Sequence, residues 1–142
     1  MPVVEVKIWE ALRGHIELMM PEVPKAWPAE TFDVPHANGQ LQPYIRIGTV
    51  SVDPVPIFID YGKRHTRTGT LIVTLVHPIL PGAQASYYSQ IAGKVAEHFA
   101  DGTRMGYYDV CITVTSQPHV QPGYEDNGYW TTPVTIPWRA YA

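Results

Sequence analysis

Residues 68–100 read TGTLIVTLVHPILPGAQASYYSQIAGKVAEHFA, a strand followed by a helix, and the rest of the chain arranges itself around that pair. Over 70–77, Leu71, Val73 and Leu75 share one face, while Thr70, Ile72, Thr74 and Val76 share the other. A β-branched run this long, apolar on both faces, suits an inner strand rather than an edge. Pro78, Pro81 and Gly82 then stop the ladder, because proline has no N–H to give and glycine turns freely. After them the period lengthens. Tyr88, Ile91, Ala92, Val95 and Phe99 recur every three or four residues, which places them on one helical face. Asp101 and Gly102 are expected to end that helix, Gly102 as a left-handed cap. A helix laid across a sheet by its apolar stripe seeds a two-layer α+β domain.

Towards the N-terminus, residues 5–20 carry Ile8, Trp9, Leu12, Ile16, Met19 and Met20 at helical spacing, and Pro21 should end that amphipathic helix. Residues 21–43 hold five prolines, Trp27, Phe32 and Asn38-Gly39, and show neither period. The stretch is too apolar for a solvated linker, so it wraps its own domain or reaches a neighbour as an arm. Residues 43–50 alternate as a strand, with Ile45 and Ile47 facing one way and Tyr44 and Arg46 the other. A shorter run, 56–61, would pair with the central strand across a tip at 62–69. That tip holds Lys63, Arg64, His65 and Arg67, the densest basic cluster in the chain.

Towards the C-terminus, residues 108–115 alternate with Val110, Ile112 and Val114 inward. Residues 116–127 read as a loop closed by the turn signal Asp126-Asn127-Gly128. In the last strand, 130–139, Val134, Ile136 and Trp138 form the apolar face. Pro133 and Pro137 stand four apart, so both missing N–H groups leave on one side, as expected of an edge strand with one blunted flank. The expected fold is therefore α+β, a mainly antiparallel sheet of four to five strands with two helices packed on it. Its order is helix, strands, helix, strands, in a single domain spanning 1–142.

A chain of 142 residues can bury a core unaided, and its single cysteine leaves no internal disulfide to form. No export signal is visible, so a reducing cytosol is the expected compartment during synthesis. No apolar run nears the ~20 residues that cross a bilayer. A net charge of −3 gives no overall electrostatic reason to bind nucleic acid. Charged residues are sparse, at 16% against a usual ~25%, and the 14 prolines are about twice the common share. Low surface charge and stiffened loops suit a subunit held inside an assembly.

Chemistry is hard to find. There is no GxSxG elbow, HExxH helix, CxxC pair, EF-hand loop or GxGxxG fingerprint. The basic tip is not a P-loop, because Ile57 stands five before Gly62 and Arg64 follows Lys63. His15, His36, His65, His77, His98 and His119 fall on different elements, none at ligand spacing. Cys111 reads as an inert strand thiol. Glu125 and Asp126 fit turn chemistry better than acid–base work. No catalytic, cofactor or metal site is assigned; a small metal-dependent hydrolase built on a histidine cluster is the minority reading.

Taken in order, these segments resemble the tail terminator (tail completion) proteins of long-tailed bacteriophages with non-contractile tails. The resemblance runs from the first helix through AWPAETF (with Trp27 and Phe32), PYIR (43–46) and TGTLIVTLVHP to the helix ending at Phe99. It closes on NGYWTTPVTIPWRA, where Gly128 and Tyr129 lead into Val134, Ile136, Pro137, Trp138 and Arg139. The loops at 37–42 and 51–56 depart from the family pattern. The resemblance implies a structural protein of the virion tail's head-proximal end, assembled in host cytoplasm. It would form a ring with itself, typically a hexamer, that caps the tail tube protein and meets a head–tail connector or stopper. Genome DNA would pass the lumen without specific binding. A head–tail adaptor of the neck is the alternative. Contacts are expected at Trp27, Phe32, Lys63, Arg64, Arg67, Tyr129 and Trp130.

Overall fold

The computed structural model describes residues 4–37, 39–51, 55–56 and 65–141. In chain order its elements are α1 (Val4–Glu17), β1 (Lys25–Ala26), β2 (His36–Ala37), β3 (Gln40–Leu41), β4 (Tyr44–Ser51), β5 (Val55–Pro56) and β6 (His65–Pro78). There follow α2 (Ala85–His98), β7 (Arg104–Tyr107), β8 (Val110–Val114), β9 (His119–Val120), β10 (Tyr124–Asp126) and β11 (Tyr129–Tyr141). The two helices and the sheet make the α+β class expected from the sequence.

The 68–100 unit holds the centre. Strand β6 is laddered on both flanks, to β4 and to β11, in antiparallel register. Leu71, Val73 and Leu75 are fully buried, as the period-two pattern requires. On α2, Tyr88, Ala92, Val95 and Ala96 are buried, and Phe99 just beyond it is fully enclosed. The helix closes one turn earlier than expected. Phe99, not Gly102, is its C-cap, with φ −111. Gly102 does take a left-handed φ of 87, but in the next turn, where its N–H reaches the Val114 carbonyl at 2.9 Å. Helix α1 likewise stops at Glu17, before Pro21. Its last turn tightens through Leu18 and Met19 bonds to the carbonyls of His15 and Ile16. Proline disfavours helical backbone in the residue before it, and Met20 turns out at φ 43.

The strand count expected from the sequence was too low and too uniform. One mixed, curled sheet of nine strand segments runs β1-β4-β6-β11-β8-β7, with β5 on β6 and with β9 and β10 on β11. Strand β1 joins β4 in parallel, and β2 with β3 forms a separate hairpin. The additions β1, β9 and β10 are two or three residues long, too short to show a period in sequence. Strand β5 pairs with β6 at the start of the strand expected over 56–61, the rest of which lies outside the described residues. Two further corrections concern the C-terminal half. Tyr108 lies in the two-residue turn of a β7–β8 hairpin at φ 53, not in a strand, and β7 went unread. Strand β11 is no edge. It pairs with β6 over thirteen residues and with β8, β9 and β10 on its other flank.

The prolines still act as the sequence implied. The carbonyls of Pro133 and Pro137 accept the N–H groups of Gln121 at 2.9 Å and Thr115 at 3.0 Å. A strand residue sends its N–H and C=O to the same side, so both missing donors face the β8–β9–β10 flank. On that flank three short strands replace one long one. The main core joins Ile8, Leu12 and Ile16 of α1 to Phe99, to Ile45 and Ile47 of β4, to Ile112 of β8 and to Val134, Ile136 and Trp138 of β11.

Candidate assembly surfaces

The 21–43 segment meets its own domain through β1, Trp27, Glu30 and Phe32, while most of its described residues are exposed and none is buried. Trp27 packs edge-on against Trp9 of α1 at 6.0 Å and under the Arg13 guanidinium at 4.3 Å. Arg13 in turn bonds Glu30 at 2.8 Å and Glu17 at 3.2 Å. Phe32 covers the sheet face away from the helices, its ring tilted against Tyr44 at 5.0 Å, and Tyr44 in turn meets Tyr129 edge-on. Burial and then Tyr44 push the Tyr129 hydroxyl above the ordinary tyrosine range. Arg67 pairs with Glu5. A backbone N–H and, after it, this guanidinium hold the Glu5 carboxyl below its usual value. Trp130 points to the helix side, beside Tyr88. The expected contact residues therefore fall in separate places: Trp27 at α1, Phe32 with Tyr129 behind the sheet, Trp130 by α2, and Arg67 at the start of β6. Lys63 and Arg64 lie outside the described residues, while 65–69, expected in the tip, already belong to β6.

Two histidines that share no sequence spacing meet where the helices end. Nε2–H of His15 donates to the His98 carbonyl at 2.8 Å, and Nε2–H of His98 donates to the His15 carbonyl at 2.7 Å. Their rings stack at 4.1 Å, and Phe99 stands edge-on to both. Carbonyls of a last helical turn lack partners within the helix, so each histidine caps the other's helix. Burial pushes the His98 imidazole below its ordinary value, outweighing the His15 carbonyl that raises it; His15 and Lys25 add smaller depressions. Both Nε2 atoms are spent on carbonyls, so the pair is a clasp. Among the described residues no three His, Cys, Asp or Glu side chains converge as a metal-binding group.

The surface offers a groove and several apolar knobs. A groove of about 410 Å³ opens between the Tyr87–Gln90–Ile91–Lys94 stripe of α2 and a wall of Met20, Val23 and Pro43, floored by Leu75 and His77. His77 is fixed by its Nδ1–H to the Pro78 carbonyl at 2.8 Å and by edge-on contacts with Tyr87 and Tyr88. Tyr88 accepts the Leu80 N–H at 2.9 Å, which leaves Ile79 and Leu80 exposed beside Tyr87. Leu18, Tyr108 and Tyr124 also stand out, at 72, 69 and 48% exposure. Sequence patterning missed the groove because its walls come from three separate segments.

The class of protein follows from comparison with known families. The phage tail terminator family model matches residues 7–138, nearly the whole chain. The chain belongs to that family and is a structural component of a bacteriophage tail. No curated protein matches it. One solved structure aligns with it at a TM-score of 0.69 and 18% identity, covering 93% of this chain and 94% of the other, a likeness of fold.

Proposed function

We propose that the protein is a ring subunit, six to a ring, seated on the head-proximal end of a non-contractile tail tube. One ring face matches the last tube ring. The other offers no surface for a further tube ring and instead receives the head-side connector. The chain acts as one domain, and its work is steric, with no bond made or broken. Family membership across residues 7–138 carries this reading. The open apolar side chains Leu18, Ile79, Leu80, Tyr108 and Tyr124 support it, because a lone domain gains nothing from exposing them. Head-to-tail contacts close into a ring when their rotation closes, and the ring's own faces then decide whether stacking continues. The half-buried rings of Trp27, Phe32 and Trp130 have surface left for partners, and genome DNA crosses the lumen without specific contacts.

The test is tube growth in the presence of the purified protein. Tube protein polymerised with it should give short tubes ending in a sixfold ring by electron microscopy. Tubes that grow past it at the control length would overturn the reading. Binding to the portal-side connector alone, with no affinity for tube protein, would favour a neck adaptor.

A further inference from the structure

The groove beside α2 and the β10–β11 hairpin form a socket and a knob at one level of the sheet. Paired positions run Tyr44 on β4, Val76 on β6, Thr131 on β11 and Tyr124 on β10. Three strand spacings, ~14 Å, separate the two ends of that row. Pro43 at the β4 end is a wall of the groove. At the other end Tyr124, Glu125 and Asp126 are all exposed, carried out by the turn in which Asn127 and Gly128 take φ of 50 and 84. This is the two-residue hairpin turn favoured by Asn-Gly, so the tip is a firm projection.

The two features complement each other chemically. The socket is walled by Met20, Val23 and Ile91, and Lys94 on its rim makes no ion pair among the described residues. The knob carries one exposed aromatic ring and two carboxylates that likewise make no ion pair among the described residues. Within one chain they stand on opposite flanks of the row. Tyr124 shares the sheet face of Val76 and Tyr44, opposite the groove floored by Leu75 and His77. A neighbour overlapping edge to edge at the same level would therefore bring the back of one hairpin to the socket of the next, a head-to-tail contact that can repeat around a ring.

We propose that the hairpin tip of each subunit docks in the α2 groove of its neighbour, with Tyr124 against the apolar wall and Asp126, which shares its face of β10, towards Lys94. This assignment rests on the ring reading and names the contact that closes it. Charge reversal at either side should weaken subunit association about tenfold or more, since like charges then meet at the contact. The experiment compares wild type, Lys94→Glu, Glu125→Lys/Asp126→Lys and the combined swap by native mass spectrometry, with far-UV circular dichroism to confirm folding.

Rings in wild type, monomers in each reversal and rings again in the swap are the expected result. As an independent readout, Gln90→Cys with Tyr124→Cys in a Cys111→Ser background should give disulfide-linked ladders up to the closed ring. Either cysteine alone should give none. The cross-link decides if the two measurements disagree. Rings that persist in both reversals without a cross-link would overturn this contact and leave the ring reading standing. A wild-type protein that stays monomeric and caps no tube would overturn both.

Discussion

The two flanks of β11 are built from the same residues and behave differently. Towards β6 the ladder runs unbroken for thirteen residue pairs, from Tyr129 opposite Pro78 to Tyr141 opposite Thr66. On the other flank it is divided among β10, β9 and β8, with no paired residue at Thr132, Pro133, Ile136 or Pro137. Side-chain burial does not set this difference, because Val134, Ile136 and Trp138 serve both flanks equally. The missing proline donors set it. A strand that lacks N–H groups on one side can still be internal if its neighbour there is cut into pieces that skip those positions. The cut frees the connecting loops, and one of the pieces is the projecting β10 hairpin.

The largest test of this contrast falls on the continuous side. Ile72→Pro places a proline in β6 between β4 and β11, opposite Gly48 and Thr135. It removes a ladder donor where the strand is paired on both flanks, a position that proline essentially never takes. No cooperative unfolding transition should survive; a native-like melt would show that the β6 flank is less demanding than its pairing implies.

A smaller effect is expected on the interrupted side. At Gly123 an added Cβ would lie 2.1 Å from Trp130 Nε1, inside the indole that braces the hairpin. Gly123→Ala should cost about 1–3 kcal/mol by chemical denaturation through overpacking, while the core around Ile136 stays folded. A neutral result would mean that the indole swings away freely.

The histidine clasp adds a pH term outside both ladders. His98 is held below its ordinary pKa chiefly by burial, so below that value the unfolded chain binds more protons than the native one. The clasp's contribution should be complete above about pH 6.5 and decline as the pH falls towards the depressed native value. His98→Gln keeps a donor for the His15 carbonyl but cannot titrate, so its stability should fall less than that of wild type between pH 7 and 5. Parallel curves would remove the clasp from the pH response.

The smallest effect should come from returning a donor to the broken flank. Pro133→Thr restores an N–H that has no strand partner waiting, and relaxes the unfolded chain, so a loss of about 0.4–1 kcal/mol is expected. A gain in stability would mean that a continuous partner strand had been held off only by the proline.

Much of the scaffold was legible because it is periodic. Leu71, Val73 and Leu75 had to share a face, and so did Tyr88, Ala92 and Val95, whatever lay opposite them. The β7–β8 hairpin was hidden because its turn is Tyr108-Asp109 rather than a glycine-bearing pair, with Tyr108 carrying the positive φ itself. The edge reading of β11 failed because proline spacing tells which side lacks donors but not whether short strands can fit between them. Within the candidate surfaces, the acidic turn was visible in sequence as Asp126-Asn127-Gly128. Its use as a projection was not.

The order of apolar and turn residues alone determined the class of fold, the inner position of β6, the burial of α2 by its stripe and the likeness to tail terminators. These depend on local period and steric limits, which each segment carries with it. Only the tertiary structure decided that β11 lies inside the sheet, that His15 and His98 cap each other, and that a groove faces away from a charged hairpin on one row of strands. Such relations join residues 83 positions apart in the His15–His98 clasp and 87 apart along the row from Tyr44 to Thr131. Separations of that size are closed by packing of the whole domain, and no local pattern records them.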